Sequence, residues 1–141
     1  MPACTFFGHR ECPDSIKVKL REVLIDLIAN NDVDMFYVGN QGRFDAIVRS
    51  ALRELKEEYP QINYAVVLAY MPGKKTEYDD FSDTMLPEGI ESVHPHYAIS
   101  WRNNWMLRQS DYVVTYLTHS WGGAYQYATK ARRQKKVVIN L

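Results

Sequence analysis

Short apolar runs alternate along the chain with longer stretches in which apolar residues recur every three or four positions. Runs without polar alternation are typical of strands buried on both faces of a parallel sheet, whereas the longer spacing is typical of amphipathic helices. The pattern therefore predicts the order β-α-β-α-β, a long loop, and then α-β-α-β. The predicted strands are 3–7, 35–38, 64–69, 112–117 and 137–141, and the predicted helices are 16–30, 46–58, 97–109 and 125–134.

This strict alternation predicts an α/β fold, because parallel strands need helical crossovers that then cover the sheet. We expect one Rossmann-like domain over residues 1–141, a three-layer α/β/α sandwich with a mostly parallel five-stranded sheet in the order 3-2-1-4-5. Residues 70–96 interrupt the rhythm with prolines, a basic pair and an acidic cluster. Loops of this length inside a compact domain are uncommon and are usually functional or mobile.

Composition narrows the class of protein. Of the 141 residues, 46% are hydrophobic and 24% are charged, which excludes a disordered or collagen-like chain. Seventeen basic residues balance seventeen acidic ones, so net charge favours neither nucleic acid nor membrane as a partner. The chain shows no apolar run long enough for a membrane span and no signal-peptide pattern, so we expect a cytoplasmic protein with reduced Cys4 and Cys12.

Glycines follow three of the predicted strands, at the sheet edge where open parallel sheets bind ligands. Gly8 follows the first strand, Gly39 and Gly42 follow the second, and the pair Gly122 and Gly123 precedes the last helix. A glycine turn that leads into a helix exposes unpaired amides at the positive end of the helix dipole, which suits a phosphate group. Plain chain turns are the alternative interpretation.

Polar and aromatic side chains accompany these turns. Arg10 and Arg43 suit phosphate or carboxylate, or are solvated surface arginines. Asp45 is placed either to contact ribose hydroxyls or simply to favour the start of its helix. His9 is a possible hydrogen-bonding or proton-carrying group, and Trp121 suits base stacking or an oligomer contact. Because no CxxC pair accompanies the cysteines, we expect no metal.

Taken in order along the chain, these segments resemble the SLOG superfamily, which joins the DprA/Smf, LOG and YpsA-like proteins. The segments are Gly8-His9-Arg10, Gly39-x-x-Gly42-Arg43-Phe44-Asp45, Arg102-Asn103-x-x-Met106 followed by Ser110-Asp111, and Trp121-Gly122-Gly123-Ala124. The resemblance covers nearly the whole chain and implies a Rossmann-like domain, often dimeric, that binds a nucleotide or a nucleotide-derived ligand without a further cofactor. DNA binding of the DprA type is not expected, since the basic run at 130–136 suits a helix end.

The residues thereby expected to bind the ligand come from the strand exits and from one helix. They are Gly8, His9, Arg10, Gly39, Asn40, Gly42, Arg43, Asp45, Arg102, Asn103, Ser120, Trp121, Gly122 and Gly123.

An alternative function follows from the same resemblance. LOG proteins are phosphoribohydrolases that cleave the N-glycosidic bond of nucleoside monophosphates and carry a PGGxGTxxE motif. The glycine pair of that motif is present here, whereas Thr129 stands at the position of its glutamate. Asp45 or Asp111 would have to replace the missing carboxylate. The sequence therefore predicts a binding domain, with nucleotide N-glycosidic hydrolysis as the alternative.

Overall fold

The computed structural model describes residues 2–71 and 82–141. Over these residues the chain forms one all-parallel sheet with helices on both faces, which confirms the predicted Rossmann-like α/β/α fold. The strands lie in the order β4-β3-β2-β1-β5-β6. They are β1 (Ala3–Gly8), β2 (Met35–Val38), β3 (Asn63–Val67), β4 (Thr84–Met85), β5 (Tyr112–Tyr116) and β6 (Val137–Asn140).

Four α-helices form the outer layers of the sandwich. They are α1 (Ile16–Asn31), α2 (Gly42–Glu58), α3 (Ala98–Gln109) and α4 (Gly123–Arg133), and two short 3-10 helices cover Ile90–Ser92 and Pro95–Tyr97. One hydrophobic cluster joins α1 and α2 to the sheet, with Phe6, Phe36 and Leu52 fully buried in it. A second cluster, on the other face, joins α3 and α4 to the sheet around Met106 and Val113. No helix among the described residues is both long and apolar enough to cross a membrane.

The predicted five strands and their order need one correction, which is the additional strand β4. It lies within the stretch predicted as loop and pairs in parallel with β3 at the edge of the sheet. The backbone amide of Leu68 donates to the carbonyl of Met85 across 2.9 Å. Two residues are too few to produce a recognisable apolar pattern, so this strand was missed. Residues 72–81 of the predicted loop lie outside the described part of the chain.

The carboxylate of Asp83 links the segment that precedes β4 to helix α2. Asp83 accepts a hydrogen bond from Arg49 Nε at 2.9 Å and one from the Tyr64 hydroxyl at 3.1 Å. Arg53 lies 3.4 Å from the same carboxylate, whose side chain is only 10% exposed. We call Asp83 with Arg49, Arg53 and Tyr64 the Asp83 cluster. Since β4 itself is so short, this cluster supplies much of what holds the segment against the sheet.

Two helices begin earlier than predicted. Helix α2 begins at Gly42 rather than near residue 46, and α4 begins at Gly123 rather than near 125. Phe44 in the first turn of α2 is fully buried and fits the spacing of Ile47 and Val48, so the apolar pattern extends one turn further than the predicted start. As a result, Gly42 and Gly123, which were predicted to lie in turns before these helices, lie in the first turns of α2 and α4.

Candidate functional site

A cleft of about 530 Å³ opens at the carboxyl ends of β1 and β5, where the chain winding reverses direction. This is the edge at which open parallel sheets bind ligands. The cleft is lined by Phe6, Phe7, Gly8, His9, Arg10, Glu11, Gln41, Asp45, Ile99, Arg102, Asn103, Met106, His119, Trp121, Gly122, Gly123 and Ala124. Residues that follow β1, β2 and β5 thus share one concave surface with one face of α3.

The N-terminus of α4 borders this cleft through Gly122, Gly123 and Ala124. Gly122 adopts φ +93°, a conformation that L side chains rarely adopt, and contributes no side-chain cap. Apart from its chain neighbours and the backbone of its own helix, no heavy atom of the described residues lies within 4 Å of the position that a Cβ on Gly123 would take. The positive end of the α4 dipole therefore borders the cleft without a side-chain cap.

Three rings lie in contact at the cleft. The imidazoles of His9 and His119 are stacked, with ring centroids 3.7 Å apart and planes inclined by 9°. The indole of Trp121 lies 3.8 Å from His119, is tilted by 42° to it and is 69% exposed. These contacts join the loop after β1 to the loop after β5, and the exposed indole supplies an aromatic surface at the cleft.

One ring nitrogen of His9 lacks a hydrogen-bond partner in the described part of the chain. Nε2 of His9 is buried and has no hydrogen-bond partner among the described residues. Burial lowers the pKa of His9, the nearby imidazole of His119 lowers it further, and the backbone of His119 raises it. The net direction is downward, so the neutral form of His9 is favoured in the folded protein.

Asp45 forms the acidic part of the cleft. Its Oδ2 accepts a hydrogen bond from the backbone amide of Gln41 at 2.9 Å, which satisfies a donor at the start of α2. Burial raises its pKa to about 6, against the lowering effects of that amide and of Arg102. A carboxyl group that titrates near neutral pH inside a cleft is a candidate for binding or for proton transfer.

Arg102 is buried, at 2% exposure, and is held from three directions. Its Nη1 donates to the carbonyl of Val67 at 3.0 Å and to Asn40 Oδ1 at 3.2 Å, while its Nε donates to Asn103 Oδ1 at 2.8 Å. Burial lowers its pKa, with Asp45 acting in the opposite direction. Arg102 thus connects α3 to the ends of β2 and β3 and supplies a fixed positive charge beside the cleft.

The structure brings most of the predicted site residues together. Those that line the cleft are Gly8, His9, Arg10, Asp45, Arg102, Asn103, Trp121, Gly122 and Gly123. Gly39, Asn40 and Gly42 instead line a neighbouring cavity of about 400 Å³, which shares Asp45 with the cleft. Ser120 is exposed and lines neither cavity.

Arg43 faces away from the cleft. Its Nε donates to Asp14 Oδ1 at 3.0 Å, and it lines a separate, shallow cavity of about 240 Å³ together with Lys17. Only its backbone serves the site, since the Arg43 amide donates to the carbonyl of Arg10 at 2.8 Å. Arg10 and Arg43, which look equivalent in the sequence, therefore lie in different environments.

The backbone conformation and a close contact explain why residue 42 is a glycine. It adopts φ +88°, and a Cβ at this position would lie 2.8 Å from Cα of Arg10. The turn after β2 therefore crosses the loop after β1 too closely for a side chain. This crossing fixes Arg10 relative to the start of α2, although Gly42 itself does not line the cleft.

Several lining residues were missed, notably Glu11, Gln41, Ile99 and the apolar side of α3. One signal could have found the α3 surface. Residues 99, 102, 103 and 106 follow the spacing of a single helical face, so a ligand-facing Arg102 and Asn103 imply Ile99 and Met106 beside them. No sequence pattern identifies Glu11 or Gln41 as lining residues, because their positions depend on the close approach of the loop after β1 to the turn at Gly42.

The described residues contain no group of three or more His, Cys, Asp or Glu side chains that could hold a metal ion. Cys4 is buried in β1, and Cys12 is partly exposed in the loop that precedes α1.

Comparison of the sequence with models of known protein families gives no match, and comparison with curated proteins gives none either. Function is therefore inferred from the geometry of the cleft.

Proposed function

We propose that the protein binds a nucleotide or a nucleotide-derived ligand in the cleft between β1, β5 and α3. One observation carries the proposal: the uncapped N-terminus of α4 and the exposed indole of Trp121 lie side by side on the same concave surface. An anion site next to an aromatic surface matches the two chemical halves of a nucleotide, its phosphate and its base.

The phosphate is placed at the amides of Gly123 and Ala124. A helix N-terminus offers several N–H donors and a favourable dipole to an anion. Arg10 lines the same cleft with an exposed side chain, and its guanidinium donates to Gln41 Oε1 at 3.4 Å. This long hydrogen bond to a neutral group is readily exchanged for a shorter one to phosphate.

The base is placed on Trp121. Its indole is 69% exposed and packs at a tilt against His119, so a base can stack on the exposed indole. The volume of about 530 Å³ lies within the range of small-molecule sites, which run from about 300 to 1,000 Å³. Asp45 and Asn103 supply polar groups for the sugar between base and phosphate.

Thermal-shift and calorimetric titrations with AMP, ADP, ADP-ribose, NAD and cyclic nucleotides test the proposal, since a ligand that binds only the folded state raises its stability. The matched variants are Arg10→Ala in the cleft and Arg43→Ala outside it. We expect Arg10→Ala to weaken binding by about tenfold and Arg43→Ala to leave it unchanged.

A second pair of variants separates binding from stability. Gly123→Asp places a carboxylate in the first turn of α4, where it favours the helix but repels a bound phosphate. We expect this variant to be at least as stable as the unmodified protein and to lose nucleotide binding, whereas Gly123→Ala retains it. Binding by Gly123→Asp at full affinity would contradict the placement of the phosphate.

Asp45 supports a second candidate function, N-glycosidic hydrolysis of a nucleotide. A carboxyl group with a pKa of about 6 is suited to donate a proton to a departing base at neutral pH. Asp111, the other acid considered, precedes β5 and so lies at the amino ends of the strands, opposite to the cleft, where its Oδ2 accepts from the amide of Ala3 at 3.2 Å. Thr129 does not line the cleft. Release of free base from nucleoside monophosphates, lost in Asp45→Asn, would establish the hydrolase.

Membership of the SLOG superfamily and a homodimeric state stay predictions. Light scattering coupled to gel filtration measures the mass of the particle directly. A mass of twice 16.4 kDa supports the dimer.

A further inference from the structure

The guanidinium of Arg102 is a buried positive charge that is held by neutral groups. The side chain is 2% exposed, and its hydrogen bonds go to the carbonyl of Val67 and to the amide oxygens of Asn40 and Asn103. Among the described residues, no carboxylate forms a salt bridge with it. Because buried charges in folded proteins are normally paired, this arginine lacks the anionic partner that its burial calls for.

Asp45 compensates the charge of Arg102 only in part. The carboxylate attracts the guanidinium, but the two groups do not come within salt-bridge distance in the described structure. The Oδ2 of Asp45 instead accepts from the backbone amide of Gln41 at 2.9 Å. The guanidinium therefore retains the capacity to bind a further anionic group.

One nitrogen of this guanidinium faces the cleft. Nε and Nη1 make the hydrogen bonds of the group, and Nη2 makes none to a described residue. The one fully enclosed side-chain nitrogen or oxygen without a partner in the described part of the chain is His9 Nε2, so Nη2 of Arg102 reaches open space. Arg102 lines the cleft but neither of the two smaller cavities, so that open space is the cleft.

Arg102 and the N-terminus of α4 border the cleft from different sides. The hydrogen bonds to Asn40 and Val67 place the guanidinium over the ends of β2 and β3, whereas α4 follows β5. Strand β1 lies between β2 and β5 in the sheet. Since neighbouring strands are about 4.8 Å apart, the two groups that attract anions are separated by roughly 10 Å, or two strand spacings. This separation suits two anionic groups on one ligand.

We propose that Arg102 binds a second phosphate of the ligand, so that the cleft prefers a nucleoside bisphosphate, phosphorylated on the 5′ oxygen and on the 2′ or 3′ oxygen of its ribose. The inference rests on the proposed function, which places one phosphate at α4. A guanidinium donates strong, charge-assisted hydrogen bonds to phosphate. The phosphates of a diphosphate share a bridging oxygen and lie too close together to reach both groups, whereas the sugar separates those of a bisphosphate.

Calorimetric titrations of the unmodified protein compare four ligands: AMP, ADP, adenosine 3′,5′-bisphosphate and adenosine 2′,5′-bisphosphate. We expect one of the two bisphosphates to bind about tenfold more tightly than AMP, because it gains a charge-assisted contact. The preferred isomer identifies the oxygen that carries the second phosphate. ADP has the same number of phosphates as the bisphosphates, and we expect it to gain less.

Variants connect this preference to Arg102. Arg102→Gln removes the charge, and we expect AMP and the preferred bisphosphate to bind it equally. Arg102→Lys keeps a charge and should recover part of the preference. Asp45→Asn keeps Arg102 and removes the neighbouring negative charge, so we expect the preference to increase severalfold. Arg43→Ala, outside the cleft, should keep the preference of the unmodified protein.

The outcomes separate the inference from the proposed function. If AMP binds the unmodified protein as tightly as both bisphosphates, or if ADP matches the preferred bisphosphate, the inference is overturned and the proposed function stands. An undiminished preference in folded Arg102→Gln would overturn it as well. Failure of all four nucleotides to bind would instead count against the proposed function, and the inference would fall with it.

Two features keep the comparison decisive. The preference is a ratio measured within each protein, so a general loss of affinity does not imitate the expected result. Circular dichroism shows whether Arg102→Gln folds. If it does not fold, Asp45→Asn decides, because an unchanged preference in that variant would show that the second phosphate does not lie beside Arg102.

Discussion

The carboxylate of Asp45 and the guanidinium of Arg102 converge on the same point of the backbone from two different helices. A Cβ added to Gly39 would lie 2.9 Å from Asp45 Oδ2 and 3.0 Å from Arg102 Nη1. Gly39 is the residue that lets both groups approach the end of β2. The fixed positive charge limits the rise in the pKa of Asp45, which nevertheless reaches about 6.

The raised pKa of Asp45 predicts a specific dependence of stability on pH. Between its ordinary value of 3.8 and about 6, the folded state holds a proton that the unfolded state has lost, so the contribution of Asp45 decreases as pH rises through this interval. The Asp45→Asn variant does not titrate there. We expect its stability relative to the unmodified protein to increase by about 2–3 kcal/mol between pH 4 and pH 7. Urea denaturation at several pH values measures the difference, and a constant difference would contradict the prediction.

The Asp83 cluster predicts that β4 depends on one carboxylate. Burial raises the pKa of Asp83, but Arg49 and its neighbours outweigh this effect, so the pKa lies below its usual value. The carboxylate therefore stabilises the fold above its ordinary pKa, and this contribution is lost as pH falls through the folded value. We expect Asp83→Ala to cost about 3 kcal/mol and to remove hydrogen-exchange protection of the Leu68 amide.

The matched control for the Asp83 cluster is an exposed ion pair. Glu54 accepts from Lys17 at 2.7 Å, but its side chain is 49% exposed. We expect Glu54→Gln to change stability far less than Asp83→Ala does and to leave the Leu68 amide protected, because exposed ion pairs contribute little. Equal effects of the two substitutions would show that burial does not distinguish these pairs.

Two glycines of the cleft differ sharply in what an added methyl group would meet. A Cβ at Gly8 would lie 2.4 Å from ring atoms of Phe44, whereas one at Gly123 meets open space. We expect Gly8→Ala to destabilise the protein by about 1–3 kcal/mol and Gly123→Ala to be neutral or stabilising. Thermal and urea denaturation provide the comparison. Partial rescue of Gly8→Ala by Phe44→Leu would identify the ring as the source of strain.

The two cysteines should differ in reactivity. Cys4 is fully buried, and burial raises the pKa of its thiol far above the ordinary value. Burial also raises the pKa of Cys12, although Arg43 opposes this effect, and Cys12 remains partly exposed. We expect iodoacetamide to modify Cys12 slowly in the folded protein and Cys4 only after denaturation. Peptide mass mapping distinguishes the two sites, and modification of native Cys4 would contradict the burial.

The sequence predicted the fold well wherever apolar residues recur over many positions. Helix α1 ends at Asn31, next to the left-handed Asp32, one residue after the predicted exit. The central strand β1 was equally clear, because Ala3, Cys4, Phe6 and Phe7 form a short apolar run with Thr5 as its one polar member, and all five residues are buried. Strand β4 could not be predicted, since its two residues are too few to form an apolar pattern.

The site was predictable in outline and not in detail. Strand exits and glycine turns predicted a site at the carboxyl ends of the strands, which is where the cleft lies, because that rule follows from parallel topology alone. The directions of side chains could not be predicted in this way. Arg43 was expected to contact a ligand, whereas its side chain donates to Asp14 and only its backbone contacts Arg10. Such contacts are long-range and have no local pattern.

The stacked imidazoles of His9 and His119 connect positions 110 residues apart in the chain. Because the ring planes lie in direct contact, we expect a change in the size or charge of one ring to disturb the other. Among homologous chains, these two positions should consequently covary, and an evolutionary change at one should require a compensating change at its distant counterpart.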